Sequence, residues 1–271
     1  MQAVDAKPRV DELVEGLVPA TTGFVLLGGR TGLGKTNLLL QLAFSIAAGR
    51  SFYGHKTRQA KVGYLLFEGD QHQTQDRLRK LVREFPEGVD NFNFNLLPPR
   101  KLTRHPPLLT MAWYIEFFSG VDLMCMDPLK YMVPGDYTKS EVAQSFIVDV
   151  QHLSREVGAP AILSHHIRKP NKDPRSPLDP GDLYEIKGAT DYVDAATTVM
   201  FLERERQGRN ESNTGFGRVN PDNMVLHFPK TRDAVASEDP VFLSFNRRKL
   251  LFEPRDIFDL QVREKLRALP E

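Results

Sequence analysis

Gly28-Gly29-Arg30-Thr31-Gly32-Leu33-Gly34-Lys35-Thr36 stands between a short apolar run, residues 24–27, and the stretch Asn37-Leu38-Leu39-Leu40-Gln41-Leu42-Ala43-Phe44. That order reads as strand, glycine-rich turn, amphipathic helix. Gly29, Arg30, Thr31, Gly32, Leu33, Gly34, Lys35 and Thr36 satisfy G-x-x-x-x-G-K-[ST], the pattern of a phosphate-cradling loop. Glycines let backbone N–H groups close around phosphate oxygens, and the following helix N-terminus adds partial positive charge. Lys35 reaches the outer phosphates in such a loop, and the Thr36 hydroxyl holds Mg²⁺. The expected ligands are therefore ATP and Mg²⁺.

Outward from the loop, strands and helices alternate. Residues 62–67 read as a compact apolar strand ending in Glu68-Gly69-Asp70, and Asp70 with Gln73 resembles a capping box for the next helix. Residues 92–97 form a weaker strand, and Pro106-Pro107 open a helix running to Phe118. Residues 121–126 are a buried-type strand closed by Asp127-Pro128. A loop at 130–137 leads to Thr138-Lys139-Ser140-Glu141, read as the capping box of a helix that ends near Gly158. Residues 160–163 begin a strand that delivers Ser164-His165-His166. Later strands fall at 197–202, 224–228 and 242–245, a proline-rich loop at 170–182, and a final helix at 256–269.

This alternation predicts an α/β fold with a doubly wound, mostly parallel sheet, helices on both faces and extra C-terminal strands. Residues 21–252 are read as one ATPase domain. Residues 1–20, with Val10, Leu13, Leu17 and Val18 at near-helical spacing, are read as a short packing helix, and 253–271 as a helical tail.

Composition narrows the classes. With 271 residues, 41% apolar and 26% charged, the chain can bury a full core. A formal net charge of +1 means that any polyanion site is local. One cysteine, Cys125, excludes an internal disulfide and fits a reducing compartment. No apolar run approaches about 18 residues, so a cytoplasmic protein that crosses no membrane is expected.

Several residues can carry chemistry. Asp127, at a strand's C-terminal end, can hold Mg²⁺ through its water shell. Glu68 ends another strand at the same expected sheet edge, where a carboxylate beside the metal can orient the attacking water. One of the adjacent histidines His165 and His166 can sense the γ-phosphate. Lys230-Thr231-Arg232 follows a strand, and two cations on one turn can stabilise transition-state charge on a phosphate. Two basic loops can contact nucleic-acid phosphates: 130–139, with Lys130 and Lys139, and a second carrying Arg168, Lys169, Lys172, Arg175 and Lys187.

Taken together, G-x-x-x-x-G-K-T, L-L-F-E-G-D, L-M-C-M-D-P, I-L-S-H-H and F-P-K-T-R resemble the RecA-like ATPase core, and more narrowly the hexameric replicative helicases of the DnaB type and the plasmid helicase RepA. The resemblance covers roughly residues 20–250. It implies Glu68 as catalytic glutamate, Asp127 as the Mg²⁺-associated aspartate and His165 as γ-phosphate sensor. It implies Lys230 and Arg232 as a finger supplied to a neighbouring subunit, and Arg77 as a base-stacking arginine. Lys187-Gly188-Ala189-Thr190 is similar to the family's R-G-S-S element after the second loop. The arginine that RepA carries in the next strand is replaced here by Thr197 or a neighbour. With about twenty residues ahead of the core, the N-terminal domain of DnaB is not expected. The implied protein is a ring-forming motor on single-stranded DNA, with a hexamer favoured. A RecA-like filament-forming recombinase and an ATP-dependent regulator that binds no nucleic acid stand as alternatives.

Overall fold

The computed structural model describes residues 11–96, 111–166, 190–205, 220–231 and 239–255. The hub is strand β3 (Phe24–Gly29), whose six residues are all buried. It lies between β7 (Ala161–His166) and β8 (Thr198–Arg204), parallel to both. Beyond β7 the parallel set continues through β6 (Leu123–Asp127), β4 (Val62–Leu66) and β5 (Phe92–Leu96). Beyond β8 three antiparallel strands extend the sheet: β9 (Asn223–Thr231), β10 (Val241–Asn246) and β11 (Leu251–Pro254). The nine strands run β11-β10-β9-β8-β3-β7-β6-β4-β5, a doubly wound order with the anticipated C-terminal extension.

Two apolar layers cover the sheet because strand side chains alternate between faces. Val25, Leu27, Tyr64, Cys125 and Ile162 face helix α1 (Lys35–Ala48). Phe24, Leu26, Leu65, Met126 and Leu163 face α4 (Ser140–Val157) and the short α5 (Asp191–Ala195). On the first side lies also α2 (Gln71–Glu84), where Asp70 caps the helix by accepting from the N–H groups of His72 and Gln73. Helix α3 (Met111–Phe117) packs with the second layer.

The structure departs from the sequence reading at several elements. The described part of the N-terminal segment is a hairpin, β1 (Glu12–Val14) and β2 (Val18–Pro19), rather than a helix. Gly16 at φ 71 makes the turn, and the backbone of Glu15 and Leu13 bonds Lys56 and Arg58, so pairing across the chain overrides helical spacing. Leu13, Val14, Leu17 and Val18 thereby join the α1 layer. Helix α1 is buried nearly all round instead of amphipathic, because the 3₁₀ segment Pro86–Asn91, α2 and β11 also pack against it. Thr138 is not an N-cap: α4 starts after Lys139 with no side-chain cap, Thr138 bonds Asp136, and Ser140 bonds Asp191 at the start of α5. Strand β9 runs on through Lys230 and Thr231, so Lys230 is a strand residue and not part of a turn. Pro229 is tolerated there because the β8 pairing shifts register between Val199 and Phe201 and β10 no longer pairs beside it. The readings at 97–110, 167–189 and 256–271 lie outside the described residues.

Strand β11, which has no counterpart in the sequence reading, pairs with β10 and is tied to α1 by Gln41. Gln41 on α1 donates through Nε2 to the Phe252 carbonyl and accepts at Oε1 from the Phe252 N–H, both at 2.9 Å and both buried. Tyr53 adds a bond to the same carbonyl at 3.1 Å. Gln41→Ala leaves buried Phe252 groups short of partners, and is expected to lower unfolding free energy by about 2–4 kcal/mol, read from the urea midpoint.

Candidate nucleotide site

Gly34 precedes α1 in the left-handed region at φ 90 and offers no side-chain cap, which leaves the first N–H groups of the helix pointing into the loop. A Cβ at Gly34 would sit 2.9 Å from the Phe252 ring, and one at Gly29 would sit 2.7 Å from the Leu202 carbonyl. Both glycines are thus demanded by packing as well as by backbone conformation. The loop closes one side of a cavity of about 330 Å³.

Lys35 is folded back into this loop. Its Nζ donates to the carbonyls of Gly29 at 2.8 Å and Arg30 at 3.0 Å, and lies 3.1 Å from His166 Nδ1. Burial lowers its pKa to about 8, against the opposing pull of Asp127 and Glu68, so the ammonium stays mostly charged at neutral pH.

Asp127 ends β6 at 2% exposure. Ser164 donates to one carboxylate oxygen and Tyr64 donates to the other at 3.0 Å. Burial pushes its pKa above the ordinary carboxylate value, while Ser164, Thr36 and Tyr64 favour the anion. Thr36 and Asp127 are thus adjacent, and form a hydroxyl–carboxylate pair that suits a Mg²⁺ shared with phosphate oxygens and water.

Glu68, just past β4, also lines the cavity. Burial works to raise its pKa, but the Lys130 ammonium, 3.0 Å from Oε2, outweighs it and holds the carboxyl below its usual range. Arg77, on α2, also lines the cavity.

Of the two histidines, the cavity takes His166 and not His165. His165 is fully buried in the α4 layer, its ring against Tyr137 and Tyr192 with centroids 5.6 and 5.5 Å away. The sensor assignment to His165 is corrected accordingly. His166 is on the α1 face with Ser164, pairs with Gly29 in register, and lies 3.3 Å from the Thr31 hydroxyl. Burial and the charges of Lys35 and Lys130 lower its pKa to about 4, so the ring is neutral at neutral pH. With Lys35 donating to Nδ1, the proton belongs on Nε2, which is buried and has no hydrogen-bond partner among the described residues.

The far wall has no counterpart in the sequence reading. Arg204, Asp222, Met224, Phe245 and Arg247 bring the ends of β8, β9 and β10 to the loop, and Arg247 grips Asp222 bidentately at 2.7 and 2.8 Å. Met224 and Phe245 add apolar surface to the cavity that Arg77 also lines, a chemistry suited to a flat aromatic base. No motif marks these residues; only the antiparallel extension brings them to the nucleotide edge.

Of the basic-loop residues, Lys130 is bound to Glu68 instead of extending outward, and Lys139 is exposed ahead of α4. Arg168, Lys169, Lys172, Arg175, Lys187 and Arg232 lie outside the described residues. Lys230 is not among the cavity residues. Its Nζ donates to the carbonyls of Val193 and Asp194 at the end of α5.

Residues 2–172 match the model of the AAA domain family, more than half of the chain. A solved structure of an ATPase domain matches with a TM-score of 0.59, covering 87% of this chain and 85% of that one at 16% identity. No curated protein matches the sequence. The fold is the RecA-like P-loop ATPase core. His166→Ala is expected to lower kcat by about 10²-fold with nucleotide binding retained, whereas His165→Ala lowers the melting temperature. Glu68→Gln is expected to bind ATP and lose most turnover, measured by phosphate release.

Proposed function

The chain belongs to the AAA domain family, and on that premise we propose that it is an ATP-driven, ring-forming motor that moves along single-stranded DNA and unwinds duplex. In this reading Lys35, the loop N–H groups and His166 hold the phosphates, and Thr36 and Asp127 hold Mg²⁺. The metal would neutralise charge on the transferred phosphoryl group. Glu68 orients the attacking water and accepts its proton, while Arg77, Met224 and Phe245 seat the base. The protein acts in the cytoplasm, as a hexamer.

The observation that supports a shared site is the direction of β9. It runs antiparallel to β8, with Thr231 beside Thr198 at the end of the sheet opposite Gly29 and the phosphate loop. Lys230 therefore lies at the edge away from its own chain's nucleotide, and a phosphate that it serves belongs to a neighbour. The motif order shared with DnaB-type helicases supplies the nucleic-acid part of the reading.

Strand separation by the purified protein with ATP decides the proposal: DNA-stimulated hydrolysis without unwinding would sink the helicase reading, and open filaments in electron micrographs would favour a recombinase. Arg232→Ala is expected to cut hydrolysis by about 10³-fold, and mixing it with Lys35→Ala subunits should restore part of the rate, since each variant supplies the half-site that the other lacks.

A further inference from the structure

Asn37 is the third residue of α1 and lines the nucleotide cavity at 9% exposure. Its Oδ1 is buried and has no hydrogen-bond partner among the described residues. A buried acceptor without a donor has given up its water for nothing, so such an atom on a cavity wall points to a donor that the ligand brings. Asn37 stands one helical turn ahead of Gln41, which binds both backbone groups of Phe252, so the two share the face of α1 turned toward β11. The close packing at Gly34 agrees: a Cβ there would lie 2.9 Å from the Phe252 ring and 3.9 Å from Asn37 Nδ2. The Phe252 ring in turn sits 4.9 Å from that of Phe245, itself a cavity residue.

Asn37 thus joins two chemically different parts of the cavity. Lys35, Thr36 and Asp127 make the polar part, suited to phosphates and Mg²⁺, and Met224 and Phe245 supply the apolar surface for a base. Ribose is the part of a nucleotide that links phosphates to base. Its hydroxyls are O–H donors of the kind that a carboxamide oxygen accepts. Ionised phosphate oxygens are acceptors only and offer Oδ1 nothing. An exocyclic amine of the base can donate, but it lies on the edge of the base remote from the triphosphate, whereas Asn37 directly follows Thr36 in the first turn of the helix.

We infer that Asn37 reads the sugar of the bound nucleotide: Oδ1 accepts a ribose hydroxyl, and the site thereby selects ribonucleotides over their deoxy counterparts. The inference rests on the reading of the cavity as a nucleotide site and adds a specificity that the phosphate-loop pattern, complete at Thr36, does not carry. A deoxy sugar leaves Oδ1 unpaired, as it is in the free protein, so only the ribonucleotide gains the bond.

The test is calorimetric titration of the full chain, in Mg²⁺, with ADP, 2′-deoxy-ADP, 3′-deoxy-ADP and inosine diphosphate, for the parent protein, Asn37→Ala and Asn37→Leu. These diphosphates offer no γ-phosphate to hydrolyse. The parent should bind at least one deoxy nucleotide about fivefold more weakly than ADP, the effect of one uncharged hydrogen bond, and the weaker one names the hydroxyl. Asn37→Ala should weaken ADP to that level and leave the deoxy nucleotide unchanged, so that the sugar preference disappears. Asn37→Leu, similar in size and without an acceptor, should do the same, with melting curves checking that both variants are folded. Equal affinity of the parent for ADP and both deoxy nucleotides overturns the inference and leaves the nucleotide site standing. A sugar preference undiminished in both folded variants overturns it as well. If the variants keep the sugar preference and instead lose discrimination between ADP and inosine diphosphate, which lacks the amine, Oδ1 serves the base and the ribose assignment falls. A parent that binds none of the four overturns the nucleotide reading together with the inference.

Discussion

A buried carboxylate sets the geometry of this site. Asp127 lies at 2% exposure and receives hydrogen bonds from Ser164 on β7, Tyr64 on β4 and Thr36 at the start of α1. An anion taken out of water must find partners of this kind or lose its charge. Those partners come from three elements, so satisfying Asp127 fixes how β4, β6 and β7 sit relative to the first turn of α1. The phosphate loop is positioned by the same requirement.

Around that anchor, charges alternate across a few ångströms. Lys35 lies between the loop carbonyls and the His166 ring, His166 is kept neutral by burial and by the cations beside it, and Glu68 is paired with Lys130. Lys35 and Glu68 are each engaged by groups of the chain itself, and a bound triphosphate would have to exchange with the loop carbonyls for the Lys35 ammonium. The opposite wall, with Arg247 closed on Asp222, comes from the ends of β8 and β10, which run in the same direction as β3, and from the start of the antiparallel β9 between them.

Much of the site is legible without the fold. The loop from Gly29 to Thr36 carries its own spacing, and Asp127 and Glu68 each follow an uninterrupted apolar strand, which puts them at the C-terminal edge. The choice of His165 over His166 fails for want of one step. Asp127 is reached through the α1 face, Ser164 shares that face, and strand alternation then sends His165 to the other layer and brings His166 to the loop. Lys130 reads as an outward cation because the turn at Leu129–Tyr131, which folds it back to Glu68, has no sequence signature.

The sequence by itself determined the local chemistry: a phosphate loop needs glycines at fixed spacing, and a buried parallel strand needs an unbroken apolar run, so both are written in neighbouring residues. Tertiary structure decided whatever depends on partners distant in the chain. The N-terminal apolar residues became a hairpin because the backbone of residues 56–58 was there to pair with them. Strand β11 pairs with its chain neighbour β10, but it is docked against α1 by Gln41, more than two hundred residues earlier, which satisfies both backbone groups of Phe252. Lys230 was placed at the edge away from its own nucleotide by the antiparallel direction of β9. Hydrogen bonds to remote backbone and the direction of a strand leave no mark on local periodicity, which is why only the folded chain could show them.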